Sequence, residues 1–299
     1  MNHHLNVLPV RLLAFSFLAV CTYLNAGEVT LQDNSLQVSF DSDSGALTSM
    51  VDKSSNWTLE RRPELGASFQ LYAPLPTRRY NPVFGQKQYA AEVRKISDHE
   101  IELQWTNLLS ENGGVLPMSL TADVALTNGE LTFAATLEND SDLTVETIEY
   151  PFLGDLNPPS RDSSLAACTM KNGELQSEEL YPHFHNGKGY WGVTYPTKML
   201  EPQGGHYCLL QSPDEGLYVG TKKPADYRVQ YVFEQHPGLL SGATSLVPPE
   251  DEISGLPVYL EFRVCHFIFE QPHSTITLAP VVLRCYQGSS QNGMDLSKQ

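Results

Sequence analysis

The chain has 299 residues, of which 41% are hydrophobic and 18% charged, with a formal net charge of −16. That apolar fraction excludes wholesale disorder, and the length suits one large domain with short ends, because all-β sandwiches of about 200 to 250 residues occur as single domains. The acidic surplus repels phosphate backbones and anionic headgroups, so neither nucleic acid nor a membrane surface is an expected partner.

Residues 1–26 read as a secretory signal. Arg11 precedes the apolar run "LLAFSFLAVCTYL", and Ala26 is a small residue suited to cleavage before Gly27. The run is too short to span a bilayer. "LAVC" is similar to a lipoprotein box, but Val20 is bulky where a small residue is needed, so no lipid anchor is expected at Cys21. The expected mature protein is exported, periplasmic or extracellular, and keeps 18 Lys and Arg against 35 Asp and Glu.

From Val29 onward, short alternating runs broken by turn residues mark antiparallel sheets. Leu36, Val38 and Phe40 share one face before the turn "DSDSG", and "AAEVRKISDHEIELQW" folds back at Asp98-His99. The clearest hairpin places Leu120, Ala122, Val124 and Leu126 before Asn128-Gly129 and Leu131, Phe133, Ala135 and Leu137 after it. No window before residue 289 carries a convincing helical period of ten or more residues, and no internal repeat or low-complexity linker interrupts the chain.

The middle changes character. "FLGDLNPPSRDSS" and "YPHFHNGKGYWGVTYPTKMLEPQGGHY" lose alternation, and long irregular stretches in a compact β domain line a functional surface or cover an edge. Tyr181, His183, His185, Asn186, Tyr190, Trp191 and Tyr195, with His206 beyond them, are the candidate carbohydrate contacts. Aromatic faces stack on the apolar faces of sugar rings, while Asn, His and Tyr bond hydroxyls. His183 and His185 are two apart and would share a face on a strand, a spacing open to metal ligation. The same residues also fit a loop whose aromatics are packing anchors. No metal and no cofactor are expected.

Strands return after His206. Asp214 and Glu215 fall in a turn, where acids are common for conformational reasons. In "EFRVCHFIFE", Glu261, Arg263, Cys265 and Phe267 share one face and Phe262, Val264, His266 and Ile268 the other, which makes His266 a core histidine. Cys168, Cys208, Cys265 and Cys285 allow two disulfides in three pairings, or four buried thiols. "NWT" at Asn56 and "NDS" at Asn139 fit the glycosylation sequon. There is no GxSxG, phosphate-binding glycine loop, HExxH or calcium-loop pattern.

Three stretches together resemble a known family. "LQDNSLQVSFDSDSGALTSMVDKSSNWT" is similar to the first strands of galactose-mutarotase-like β-sandwich domains, the supersandwiches of aldose epimerases, polysaccharide lyases and multidomain glycoside hydrolases. "PHFHNGKGYWGVTYP" followed by "GGHYCLLQSPDEGLYVGTKK" resembles the loop-then-strand part of the glycoside-hydrolase-associated versions. "VVLRCYQGSSQNGMDLSKQ" resembles the exit of such a sandwich, where a helix begins towards a catalytic barrel. Ser289, Ser290 and Gln291 depart from the Asp-Trp-His-like residues of that pattern.

The resemblance implies an all-β fold: a large antiparallel β-sandwich (supersandwich) over residues 27–286, with helix confined to the signal peptide and a C-terminal tail, 287–299, like a truncated barrel connector. It implies an exported, carbohydrate-associated domain, non-catalytic alone, with an oligo- or polysaccharide as partner and a catalytic barrel encoded separately. No catalytic residue carries over, because the hydrolytic acids of such relatives sit on the barrel. The alternatives are an epimerase-like or lyase-like enzyme acting within the sandwich, or a structural remnant of a split glycoside hydrolase.

Overall fold

A computed structural model of the chain describes residues 27–89, 92–160, 163–181, 197–203, 206–237 and 258–298. The signal segment and six of the sugar-contact candidates (His183, His185, Asn186, Tyr190, Trp191 and Tyr195) lie outside the described residues.

The described chain is built of antiparallel strands. β1 (Glu28–Gln32), β2 (Leu36–Asp41), β3 (Leu47–Asp52) and β4 (Trp57–Glu60) form a four-stranded sheet in sequence order. Next come β5 (Gln70–Tyr72), β6 (Pro82–Phe84), the hairpin β7 (Glu92–Ser97) with β8 (Glu100–Thr106), and the short pair β9 (Leu109–Ser110) with β10 (Gly114–Val115). The expected hairpin follows as β11 (Met118–Thr127) and β12 (Glu130–Asn139). Asn128 and Gly129 take φ of 52° and 76°, the two positive values that a tight two-residue turn of this hand requires.

Beyond this hairpin run β13 (Thr147–Leu153), β14 (Leu165–Lys171), β15 (Glu174–Tyr181), β16 (Thr197–Leu200), β17 (Tyr207–Gln211) and β18 (Glu215–Thr221). They are followed by β19 (Arg228–Pro237), β20 (Val258–Phe267), β21 (Ser274–Thr277), β22 (Val281–Gln287) and the helix α1 (Ser290–Leu296).

Two large sheets make the sandwich. One is ten-stranded, running β15-β14-β17-β18-β22-β12-β11-β8-β7 with β21 also on β12, and the other is six-stranded, running β16-β19-β20-β13-β5-β6. Alternation decides what lies between them. Leu103, Trp105, Val124, Leu131 and Phe133 of the larger sheet, and Leu71, Ile148, Phe233, Phe262 and Val264 of the smaller, belong to one buried cluster. Contact across the layers is direct: the rings of Phe133 and Tyr150 meet edge to face at 5.6 Å, and those of Phe69 and Trp105 at 5.0 Å.

His266 is a core residue, as the alternation of its strand predicts. It is fully buried, with Nε2 2.9 Å from the carbonyl oxygen of Tyr150. All four described cysteines are unpaired. Cys168 and Cys208 show why adjacency is not enough: their strands are neighbours, but Cys208 belongs to the sandwich core and Cys168 to a second cluster on the other face of the sheet. Asn139 is fully buried and donates to the carbonyls of Leu143 and Gln271, so its sequon is not open to modification. Asn56 is exposed.

The tail forms the expected helix. α1 folds back on the ten-stranded sheet, where Met294 and Leu296 pack on the second cluster, formed by Cys168, Tyr207, Leu209, Tyr218 and Tyr286.

Candidate functional site

The six-stranded sheet has one face in the core and one face turned away from it, and the second face carries the densest group of ionisable side chains among the described residues. Its origin is the register of three strands. β19 and β20 pair without interruption, which sets Val232 opposite Arg263, Glu234 opposite Glu261 and His236 opposite Tyr259. Because the side-chain period is two, Arg263 shares this face with Glu261 and Tyr259, while Phe262 and Val264 enter the core.

β13 completes the group through a bulge. Glu149 lies opposite Cys265 but Phe152 lies opposite Arg263, so one extra residue separates them on β13. Residues three apart would normally face opposite ways. The extra residue brings both to the same side. Phe152 places its ring 5.4 Å from the guanidinium carbon of Arg263, and Glu149 places Oε2 3.0 Å from its Nε.

Arg263 is the hub, only 9% exposed. Its Nη2 donates to Glu234 Oε2 at 2.5 Å and its Nη1 to Glu261 Oε2 at 2.7 Å. The guanidinium thus holds Glu149 on its Nε edge and the other two carboxylates on its far ends, using the planar fork that lysine lacks. Burial opposes charge on Arg263, but the three carboxylates outweigh it and hold the group firmly protonated. Burial pushes Glu149 up to about 7, with Arg263 pulling down and Glu234 and Glu261 adding to the rise. The result is a carboxyl that exchanges its proton near neutrality.

His236 lies on the far side of the hub from Glu149. Its Nε2 is 3.5 Å from Glu234 Oε1 and 3.4 Å from Glu261 Oε2, and its ring lies flat on Tyr259. On the β5 side, Gln70 donates to the hydroxyl of Tyr72 at 2.5 Å, and the Tyr72 ring approaches that of the exposed Tyr80 at 6.1 Å. Burial, reinforced by Glu149, pushes the Tyr72 hydroxyl up, so it stays a neutral donor.

Of the residues predicted from sequence, Tyr181 closes β15 opposite Leu165, and His206 is exposed, with its carbonyl accepting from Tyr231 Oη at 2.7 Å. The cluster around Arg263 draws on other residues. Glu149, Glu234, His236 and Tyr72 were not singled out by sequence reasoning. The available signal was "FEQH", where Glu234 and His236 are two apart on a strand and so share a face.

The fold has known counterparts. The chain is similar to a putative aldose 1-epimerase from Escherichia coli K12, with 14% identity and a TM-score of 0.51 over 87% of this chain and 100% of that one. It is also similar to a galactose mutarotase related enzyme from Lactobacillus acidophilus, with 12% identity and a TM-score of 0.52 over 88% of this chain and 98% of that one. An alpha-mannosidase from Enterococcus faecalis V583 matches 90% of this chain with 30% of its own length, at 11% identity and a TM-score of 0.50. No family model and no curated protein sequence matches the chain. At these identities the likeness is one of fold: a galactose-mutarotase-like β-sandwich.

Proposed function

We propose that the outward face of the six-stranded sheet binds an aldose and interconverts its anomers. The observation that carries this reading is the position of Arg263 between a buried carboxyl that titrates near neutrality, Glu149, and an imidazole, His236. Anomer exchange needs two proton carriers. A base removes the proton from the hydroxyl on C1, an acid delivers one to the ring oxygen, and the C1–O bond of the ring breaks to leave an open-chain aldehyde. Rotation about C1–C2 and the reverse transfers then close the other anomer. Glu149 is suited to the base by its proton affinity, since a base works best with a pKa near the working pH. His236 is the acid, and Arg263 bonds the sugar oxygens between them. Two similar folds named as an epimerase and a mutarotase-related enzyme support the choice of reaction.

One observation favours a second reading. The matched alpha-mannosidase uses this fold for 30% of its length, which fits a non-catalytic module beside a catalytic domain. Export, expected from residues 1–26, suits either reading.

Polarimetry on freshly dissolved α-anomers of neutral aldoses tests both. Acceleration that falls about 100-fold or more in Glu149→Gln and in His236→Gln is the expected result. Sugar binding without acceleration would favour the module. The absence of both binding at millimolar sugar and acceleration would overturn both readings.

A further inference from the structure

We infer that Glu234, His236 and Glu261 form a binding site for a divalent metal ion of the zinc class, with Arg263 orienting the two carboxylates. One ligand atom from each of the three residues lies within 4.8 Å of the other two. The imidazole Nε2 is 3.5 Å from Glu234 Oε1 and 3.4 Å from Glu261 Oε2. A charge-assisted N–H···O bond is about 2.7–2.9 Å, and Arg263 reaches these same carboxylates at 2.5 and 2.7 Å. The imidazole contacts are therefore too long for that bond. They match a different spacing. Four ligands about 2.0–2.1 Å from a tetrahedral zinc ion stand about 3.3–3.4 Å from one another.

The surroundings are those of an oriented ligand set. Glu234 gives Oε2 to Arg263 and turns Oε1 towards His236, and Glu261 is held through its Oε2. Metal-binding carboxylates are commonly fixed in this way by an outer partner. Stacking on Tyr259, with ring centroids 4.2 Å apart, sets the plane of the imidazole.

Charge supplies an independent argument. Glu149 is only 7% exposed and touches the same guanidinium, yet its Oε2 accepts no hydrogen bond among the described residues. Among the described residues the carboxyl groups around Arg263 outnumber its single positive charge, an excess that a divalent ion at Glu234 and Glu261 would offset. A histidine nitrogen with two carboxylates favours zinc and its neighbours over calcium or magnesium, which take oxygen ligands. Three protein ligands leave a fourth position open. The inference does not depend on the sugar reading. If both hold, the ion would polarise the ring oxygen where the proton of His236 otherwise acts.

The test uses untagged full-length protein stripped with chelator, then titrated with zinc by equilibrium dialysis and with cobalt by visible absorption. The expected result is one equivalent bound, a four-coordinate cobalt spectrum without a thiolate charge-transfer band, and metal-dependent shifts of the His236 imidazole nitrogens in NMR. His236→Ala and the double variant Glu234→Gln, Glu261→Gln should abolish stoichiometric binding, and Arg263→Met should weaken it by about 10-fold to 100-fold. Substoichiometric binding to the wild type, a thiolate band, or unchanged His236 resonances would overturn the inference. The wild-type spectra decide the matter even if a variant fails to fold.

Discussion

The imidazole of His236 lies on the phenol ring of Tyr259 with centroids 4.2 Å apart and planes 1° from parallel, because the two residues are register partners on β19 and β20. The stack fixes the plane in which Nε2 meets Glu234 and Glu261. Replacing Tyr259 with Ala is expected to cost roughly 0.5–1.5 kcal/mol of stability beyond the lost buried area. It should also reduce anomer exchange far more than Tyr259→Phe, which keeps the ring. Urea melts and polarimetry on the two variants make the comparison.

Arg263 gives the largest expected effect. Its removal in Arg263→Met leaves Glu149 buried without a counter-charge, a change that costs about 3–5 kcal/mol when a buried pair is broken from one side. Arg263→Lys should recover only part of this, since one ammonium cannot serve carboxylates on three sides. The deficit of the Met variant should shrink below the Glu149 value of about 7, where that carboxyl takes up a proton and no longer needs a cation. Urea unfolding at pH 5 and pH 8 reads the difference; an equal deficit at both would place the dominant charge elsewhere.

Two buried groups are expected to give stability opposite slopes with pH. Glu149 is raised by burial from 4.5 to about 7, so the folded state holds its proton more tightly, and the stability this lends is present below 4.5 and lost as pH climbs through 7. His266 is lowered by burial from 6.5 to about 4, so the unfolded chain binds the extra proton, and stability is lost as pH falls from 6.5 to 4. Each amounts to roughly 3 kcal/mol at most, at about 1.4 kcal/mol per unit. Relative to wild type, Glu149→Gln should gain stability as pH rises from 5 to 8. His266→Gln should be penalised most at neutral pH and least near pH 4. Denaturant midpoints across pH provide both differences.

What the sequence displayed and what it hid follow from range. The β11–β12 hairpin and the inward turn of His266 depend on residues within one strand or one turn, where period two and the Asn-Gly pair are visible in the chain itself. The Arg263 cluster depends on sheet order. Glu149 and Arg263 are 114 positions apart in sequence and meet because β13 lies beside β20, with a bulge whose extra residue no local pattern announces. The aromatic richness of 181–196 drew the sequence reading to a loop, whereas the described ionisable group uses short polar side chains on strands that look ordinary one at a time.

Glu60 and Asp155 are adjacent buried acids with different tasks. Glu60 is fully buried and accepts the Asp155 backbone N–H at 3.1 Å, and burial pushes it well above the usual carboxylate range, which favours its neutral form. Asp155 receives Arg62 through Nε at 2.9 Å and Nη2 at 2.5 Å and also accepts the Arg62 backbone N–H. Glu60→Gln, which keeps shape and neutrality, is expected to change stability by less than about 1 kcal/mol. Asp155→Asn, which strips a buried partner from Arg62, should cost about 3 kcal/mol. Thermal or urea melts at pH 7 would refute this assignment if the order were reversed.

Tyr286 is seated between two glycines. A Cβ on Gly216, its register partner on β18, would stand 2.3 Å from the Tyr286 Cζ, and one on Gly293 of α1 would stand 2.6 Å from the same atom. Tyr286 cannot swing away freely, because its hydroxyl donates to Gln211 Oε1 at 2.7 Å. In an open helix Gly293→Ala would gain up to about 1 kcal/mol from backbone propensity. Here overpacking against a ring held on both sides costs about 1–3 kcal/mol and is expected to win. The variant should therefore lose stability despite its better helix former. Combining it with Tyr286→Leu, which empties the space the new methyl needs, should cost less than the sum of the two single changes, a coupling that a double-mutant cycle measures directly. Strict additivity would mean that α1 does not rest on Tyr286 in solution.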